Sequence, residues 1–388
     1  MRNEDQKKRI LHVSKYYYPF RGGTEQIAQD CVTALKDDYE QKVICFNHEK
    51  GDKTDFVDDI EVVRCGAFFK ISSQSLSITY AKKFKKIIKD FKPDIIVFHY
   101  PNPFVAAILL KNIRKDTKLV TYWHLDIVKQ KILGKLFVGQ NHRLIERSDL
   151  IISTSPNYVE GSPYLSKVKN KCIVVPNCIN VERLKLNDEI NQLSKFIREK
   201  NKDKIICLAV GRHTKYKGFE YLIKASKKLD NRFVIYITGK GEETKKLKKL
   251  AAGDPKINFL GVVNDIELKA YLKAMDIFCF PSITKNEAFG VALAEGMYFG
   301  KPAVTFNIPG SGVNYVCLKN EDGLEVPNRN INEYANAIKT LGNNPTMRKE
   351  YGENGKKRVI ENFLNHTYNE NIKNVIRTAE KIYCGKMS

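Results

Sequence analysis

Two glutamates eight residues apart, Glu287 and Glu295, bracket the start of an apolar segment that follows an apolar run ending at Phe280-Pro281. At about 3.6 residues per turn, a helix beginning between them puts Glu287 just before its first turn and Glu295 two turns inside. Both carboxylates can then face one cleft at different depths. An acid inside an otherwise apolar helix needs a partner, such as a pair of ribose hydroxyls or a cation. The plain alternative is a pairing of Glu295 with a neighbouring lysine.

Cations stand ready elsewhere. In Gly211-Arg212-His213-Thr214-Lys215-Tyr216-Lys217-Gly218, Arg212 and Lys217 flank a loop that opens a helix. Two cations and a helix N-terminus converging on one point make a diphosphate site. Gly239-Lys240-Gly241 repeats the glycine-lined helix start after the next strand, although a lone G-x-G is weak. Gly22-Gly23-Thr24-Glu25 follows the first strand. Paired glycines there either admit an anion close to the backbone or form an ordinary turn with Thr24 as N-cap. His124 and Asp126, at another strand end, are candidates for metal ligands, for polar groups gripping sugar hydroxyls, or for a structural histidine with a capping acid. No third ligand stands nearby to complete a metal set.

The elements that must position these residues are legible as alternating short apolar runs and amphipathic stretches, the pattern of an α/β protein with parallel sheets. Strands are predicted at 9–14, 41–46, 60–63, 94–99, 118–123, 149–154 and 171–175, with helices at 25–35, 78–91 and 104–113. A second series gives strands at 205–210, 233–238, 257–260, 277–280 and 302–306. Its helices fall at 219–229, 242–251, 265–274 and 290–298, and three more lie near 331–341, 347–363 and 368–382. The polar stretch 187–204 reads as a linker. The expected organisation is therefore a first domain over 1–186, with 368–388 crossing back onto it, and a second over 205–367. In open α/β sheets ligands bind beyond the carboxyl ends of the strands, and the residues singled out above lie there.

At 388 residues and 43% hydrophobic content the chain has room for two cores. No run of about 18 apolar residues occurs, so no membrane-spanning helix is expected. The charged start, 1–9, leads into too short an apolar run for a secretory signal. Nine scattered cysteines without a C-x-x-C pair suit a reducing compartment, so a cytoplasmic protein is expected. The net charge of +22 is spread along the chain and carried mostly by lysine, which favours anionic partners in general over base readout. In 78–91, Ile78, Ala81, Phe84, Ile87, Ile88 and Phe91 form an apolar stripe among Lys82, Lys83, Lys85, Lys86 and Lys89. This is either a packed helix with a solvated basic face or a surface for anionic headgroups.

Taken in order, Gly22-Gly23-x-Glu25, His124, Gly211-Arg212 with Lys217-Gly218, Gly239-x-Gly241 and the Glu287/Glu295 spacing resemble a retaining glycosyltransferase of the family-4 group. The resemblance covers most of the chain. It implies the GT-B fold, two Rossmann-like domains facing across a cleft. It also implies that Arg212 and Lys217 hold the donor pyrophosphate, that Glu295 binds the ribose, and that Glu287 with the amides of Phe289, Gly290 and Val291 holds the transferred sugar. Gly22 and Gly23 would touch the phosphate, His124 would contact the sugar near the reaction centre, and Val262, after Leu260-Gly261, would lie by the base. Segments 123–131, 153–158 and 309–314 more narrowly resemble bacterial mannosyltransferases of O-antigen and capsule assembly. Leu125 departs from the small residue usual there.

The donor so implied is GDP-mannose, and the acceptor a glycan or a polyprenyl-linked sugar, with an anionic membrane surface as a further partner. No cofactor, metal or nucleic acid is expected. No D-x-D pair stands at a strand end, and the two cations can stabilise a departing diphosphate themselves. A nucleotide-sugar epimerase of the same architecture and a basic nucleic-acid-binding protein are the alternatives. A nicotinamide-dependent oxidoreductase is disfavoured, since neither glycine cluster reads G-x-G-x-x-G after a strand.

Overall fold

The computed structural model describes residues 7–20, 22–71, 74–127 and 133–382. It divides into two compact units: Met1–Thr154 with Ser162–Val175 and His366–Ser388, and Ser155–Gly161 with Pro176–Asn365. Each is built on its own sheet.

Unit 1 carries β1 (Arg9–Val13), β2 (Glu40–Phe46), β3 (Lys53–Val57), β4 (Ile60–Cys65), the small hairpin β5 (Phe69–Ile71) and β6 (Gln74–Leu76), β7 (Ile95–Tyr100), β8 (Lys118–Trp123), β9 (Leu150–Ser153) and β10 (Cys172–Val174). Its eight-stranded sheet runs β10-β9-β8-β7-β1-β2-β4-β3, parallel except for β3, which pairs antiparallel with β4. Unit 2 carries β11 (Ile205–Val210), β12 (Phe233–Thr238), β13 (Ile257–Gly261), β14 (Ile277–Phe280), β15 (Ala303–Phe306) and β16 (Gly323–Val326), in the order β13-β12-β11-β14-β15-β16. Every residue of β7 and of β12 is buried, as continuous apolar strands covered on both faces must be.

In each sheet the chain crosses to the other side of its first strand, between β1 and β7 in unit 1 and between β11 and β14 in unit 2. Loops leaving neighbouring strands on opposite sides of such a point open a crevice at their carboxyl ends. The loops after β11 and β14 carry Arg212, Lys217 and Glu287.

The stretch 187–204, expected as a linker, is instead built into unit 2. Asp188–Lys200 is a helix whose N-cap, Asn187, accepts from the Ile190 amide at 2.9 Å. Ile190, Ser194 and Ile197 are buried, one narrow stripe at spacings of four and three. The helix packs beside Asp265–Ala274, where the Arg198 guanidinium donates to Asp276 at 2.7 Å. Three buried positions in thirteen residues leave a composition polar enough to pass for a tether. The last helix, Asn365–Lys381, counts with unit 1 from His366 onward. Its Lys373 pairs with Asp38 at 3.2 Å, and Glu380 with Lys8 at 3.3 Å.

In the basic helix Tyr80–Asp90, Phe84, Ile87 and Ile88 are buried, as is Phe91 just beyond it. The apolar stripe is therefore core. Lys82, Lys85, Lys86 and Lys89 face solvent, and Ile78, ahead of the helix, is 79% exposed.

Candidate active site

Lys217 and Glu287 meet at the switch point of the unit 2 sheet. The Lys217 ammonium pairs with the Glu287 carboxylate, both side chains being 12% exposed. The Ser282 hydroxyl donates to the same carboxylate at 3.1 Å, and the Ser311 hydroxyl donates to the Glu287 carbonyl at 2.5 Å. The ammonium also lies 5.0 Å from the Phe280 ring centroid and 5.6 Å from that of Tyr216, within cation–π range. Arg212 is exposed on the same loop and has no salt-bridge partner among the described residues.

Past Glu287, Gly290 takes φ +100° and caps the helix Val291–Tyr298 without a side-chain bond. The opening amides of a helix have no intrahelical acceptor and favour negative charge. Glu295 lies inside that helix with no salt bridge among the described residues, so the expected alternative of a lysine partner is not realised. Burial pushes its carboxyl up to about 7, against the pull of Arg183 and with a further push from Asp265.

The glycines around this point serve packing between loops. A Cβ on Gly218, at φ +66°, would lie 2.0 Å from the Pro281 carbonyl oxygen, one on Gly239 2.0 Å from that of Gly211, and one on Gly241 2.5 Å from that of His213. They let the β11, β12 and β14 loops touch backbone to backbone. Val262, after β13, is 66% exposed.

In unit 1 the loop after β1 leads to the helix Gly23–Leu35, whose N-cap is Gly22 in extended conformation. Thr24 is not the cap. Its hydroxyl donates to Glu25 at 2.9 Å, and Glu25 is buried. Beyond β8, His124 is buried with Nε2 3.1 Å from His99 Nδ1, and its ring stacks on Tyr122 at 4.4 Å. Burial lowers the His124 pKa to about 3. Asp126 accepts from the Trp123 indole at 3.0 Å and from the Ser162 hydroxyl at 2.9 Å, a buried latch. Residues 128–131, the end of one segment with the narrower resemblance, lie outside the described residues.

One buried cluster offers metal ligands among the described residues: His12, Cys31 and His99, each with a donor atom within 4.8 Å of the others. Burial, with Asp30 adding to it, pushes the Cys31 thiol up to about 12.

The sequence profile of glycosyl transferases group 1 matches residues 191–358, and that of glycosyltransferase family 4 matches residues 21–183. The O-antigen chain mannosyltransferase C of Escherichia coli is 31% identical over 92% of this chain and 94% of its own. The chain belongs to this glycosyltransferase family. A second relative of the glycosyltransferase, the D-rhamnosyltransferase WbpZ of Pseudomonas aeruginosa, is 28% identical over 92% of each chain. Among solved structures, the sucrose-phosphate synthase of Thermosynechococcus elongatus superimposes with a TM-score of 0.79 at 16% identity, over 97% of this chain and 100% of that one. The fold of the glycosyltransferase is GT-B, and its membership leaves the epimerase and nucleic-acid readings without support. Among the described residues no helix is long and apolar enough to cross a membrane.

The loop packing of the glycosyltransferase makes a direct prediction. Gly218→Ala forces a side chain into left-handed backbone and onto the Pro281 carbonyl. It should destabilise unit 2 by about 2 kcal/mol or more. Gly253→Ala, also left-handed at φ +81° but with nothing within 4 Å of the added carbon, should cost about 1 kcal/mol. Urea titrations of the two variants check the difference, and equal losses would show that the close approach is unimportant.

Proposed function

We propose that this enzyme is a retaining glycosyltransferase that moves a hexose, mannose from GDP-mannose first among the donors, onto a glycan or polyprenyl-linked acceptor in cell-surface polysaccharide synthesis. The observation that carries the reading is the Lys217–Glu287 pair at the switch point of the unit 2 sheet, with Arg212 exposed on the same loop. The names of the two curated relatives support the polysaccharide context.

In this reading Arg212 and Lys217 hold the pyrophosphate, and fixed cations meet the negative charge that grows on it as the glycosidic bond breaks. Glu287, with the amides of Phe289, Gly290 and Val291, holds the sugar. Glu295 takes the ribose hydroxyls, and Gly239, Gly241 and Val262 line the nucleotide. From unit 1, Gly22 and Gly23 approach the phosphate, and His124 meets the sugar. The site needs no metal. The acceptor oxygen arrives on the face from which the diphosphate leaves, through an oxocarbenium-like state.

Calorimetry of GDP in excess EDTA tests the core of this. The unaltered enzyme is expected to bind, and Arg212→Ala with Lys217→Ala to show no measurable heat while keeping its fold. Unchanged affinity in the double variant would remove the phosphate assignment, and binding that needs added Mg²⁺ or Mn²⁺ would remove the metal-free one.

Work at the inner face of the membrane is part of the same proposal. The exposed Lys82, Lys85, Lys86 and Lys89 support it as an electrostatic attachment. Vesicles rich in anionic lipid should retain the enzyme at low salt and release it near 1 M, where the Debye length is about 3 Å. Equal retention on neutral vesicles counts against it.

A further inference from the structure

Arg64 is a charged side chain in an apolar strand. It follows Ile60 and Val62 at alternate positions of β4, hence on the same face. Ile60 and Val62 belong to the cluster that holds Tyr17 of the loop after β1 and Ala28 and Val32 of the helix Gly23–Leu35. Arg64 is only 1% exposed. A buried guanidinium weakens a fold unless it is paired and its N–H groups are matched, and an aliphatic residue would continue the stripe without that cost. The reason for the charge lies in what it holds.

Strand register builds the holder. Arg64 stands opposite Lys53 across the antiparallel β3–β4 edge, so Asp55, two residues along, shares its face and lies diagonally across. The Arg64 Nε–H donates to both Asp55 carboxylate oxygens, at 2.9 and 3.2 Å. The other edge of the fork turns to the loop after β1. Nη2 donates to the Tyr18 carbonyl at 2.7 Å, and Nη1 to the Tyr17 carbonyl at 3.5 Å. Because β2 lies between β1 and β4, the loop is drawn across a whole strand to meet this side chain.

Neutral ties hold the same loop. The Ser14 hydroxyl donates to the Tyr16 carbonyl at 2.7 Å, the Tyr16 hydroxyl shares a hydrogen bond with Ser75 at 2.7 Å, and the Phe20 amide donates to the Tyr17 carbonyl at 3.1 Å. The charge-assisted bond to Tyr18 is the strongest of them, and it acts just ahead of Gly22, the N-cap of the helix Gly23–Leu35.

We infer that Arg64 is a positioning residue for sugar transfer, held in place by Asp55, and that the two set the backbone leading into Gly22 and Gly23. A guanidinium does this and an ammonium cannot, because only the planar fork meets a carboxylate along one edge and a carbonyl along the other. The edge strand β3 thereby serves the loop by supplying Asp55. The effect on transfer rests on the proposed approach of Gly22 and Gly23 to the phosphate, whereas the anchoring of the loop does not.

The test uses the full chain. In Arg64→Lys the Phe20 amide should exchange with solvent about tenfold faster or more, the worth of one charged hydrogen bond, while the amides of β2 and β4 keep their protection. The kcat for transfer from GDP-mannose should fall by a factor on the order of 10², as for a group displaced by about 1 Å. GDP affinity should change little, since Arg212 and Lys217 hold the diphosphate. Asp55→Asn keeps the Tyr18 bond and should show both effects more weakly. In Arg64→Ala, guanidinium ion added far below denaturing concentrations should restore part of the rate, and ammonium ion should not. Unchanged Phe20 exchange in Arg64→Lys overturns the anchor, as does faster exchange shared equally by β2 and β4. Gly23→Val, where an added Cβ meets nothing within 4 Å, separates the two readings. A loss of kcat there without one in Arg64→Lys removes the positioning role. No loss in either variant removes the phosphate contact and leaves only the anchored loop.

Discussion

Acidification from pH 7 to pH 5 is expected to unfold unit 1 well before unit 2. His12, His99 and His124 are held neutral in the fold, with His12 lowered to about 4 and His124 to about 3 by burial, and His99 well below the ordinary 6.5. In the unfolded chain each regains its ordinary affinity for a proton. Below pH 6.5 the unfolded state therefore binds more protons, and stability falls with pH until the folded values are reached. His12 and His124 each contribute about 1.4 kcal/mol per pH unit, together roughly 3 kcal/mol per unit and roughly 4 kcal/mol by pH 5, and His99 adds to this in the same direction. A whole domain is stable by only about 5–15 kcal/mol.

Unit 2 is pulled both ways, because burial lowers the His213 pKa below its ordinary value and so costs stability on acidification, whereas Glu295 acts in the other direction. Glu295 is raised to about 7 by burial, so its ionised form weakens the fold above that value. The penalty is relieved as pH falls from 7 towards 4.5. Hydrogen exchange in graded urea at pH 7, 6 and 5, followed separately in β7 and β12, measures the two responses. The β7 midpoint should fall steeply while that of β12 holds. His124→Gln should flatten the β7 slope by about a third. Parallel losses in both units would mean that the histidines are not the cause.

Much of this architecture could be read from the chain, and the omissions share a physical origin. Runs such as Ile205–Val210, Phe233–Thr238 and Ile277–Phe280 are almost wholly apolar because both faces are covered, so composition alone marks them. β3 is an edge strand whose Phe56 is 70% exposed; with one side open it has no such signature. The helix Asp188–Lys200 escapes for a similar reason, since it buries one thin stripe.

At the site, the charges of Lys217 and Glu287 stand out at strand ends, but their pairing joins residues 70 apart and depends on which strands are neighbours. His12 and His99 are quieter still. Each sits in an apolar strand, where a single histidine reads as filler. Only the register of β1, β7 and β8 puts them on one face with His124.

The Lys217–Glu287 pair leads to the second large effect, in which replacing one member strengthens binding and weakens catalysis. Glu287→Gln should lower kcat by a factor on the order of 10² or more and at the same time tighten GDP binding. With the pair intact, the ammonium is already neutralised by a carboxylate that an arriving diphosphate must face. Two like charges at contact distance repel by several kcal/mol at the effective dielectric of a protein surface. Removing the carboxylate leaves Lys217 against the Phe280 and Tyr216 rings, free to meet phosphate. Holding the sugar while charge develops is a different task, and the neutral amide cannot perform it, so the rate falls.

Lys217→Ala does the reverse. It deletes the attraction and leaves a largely buried carboxylate unpaired, so GDP affinity should drop by about 10²-fold or more. Combining the two changes removes that unpaired charge, and the double variant should bind GDP better than Lys217→Ala alone. A coupling energy of about 1–3 kcal/mol is expected from residues in direct contact. Glu295→Ala supplies the contrast. Its hydrogen bonds to ribose are alike in ground and transition states, so KM should rise with kcat little changed. Initial rates and calorimetry on these four variants separate the roles. A weaker GDP affinity in Glu287→Gln would place that carboxylate away from the diphosphate, and a loss of kcat confined to Glu295→Ala would exchange the tasks of the two glutamates.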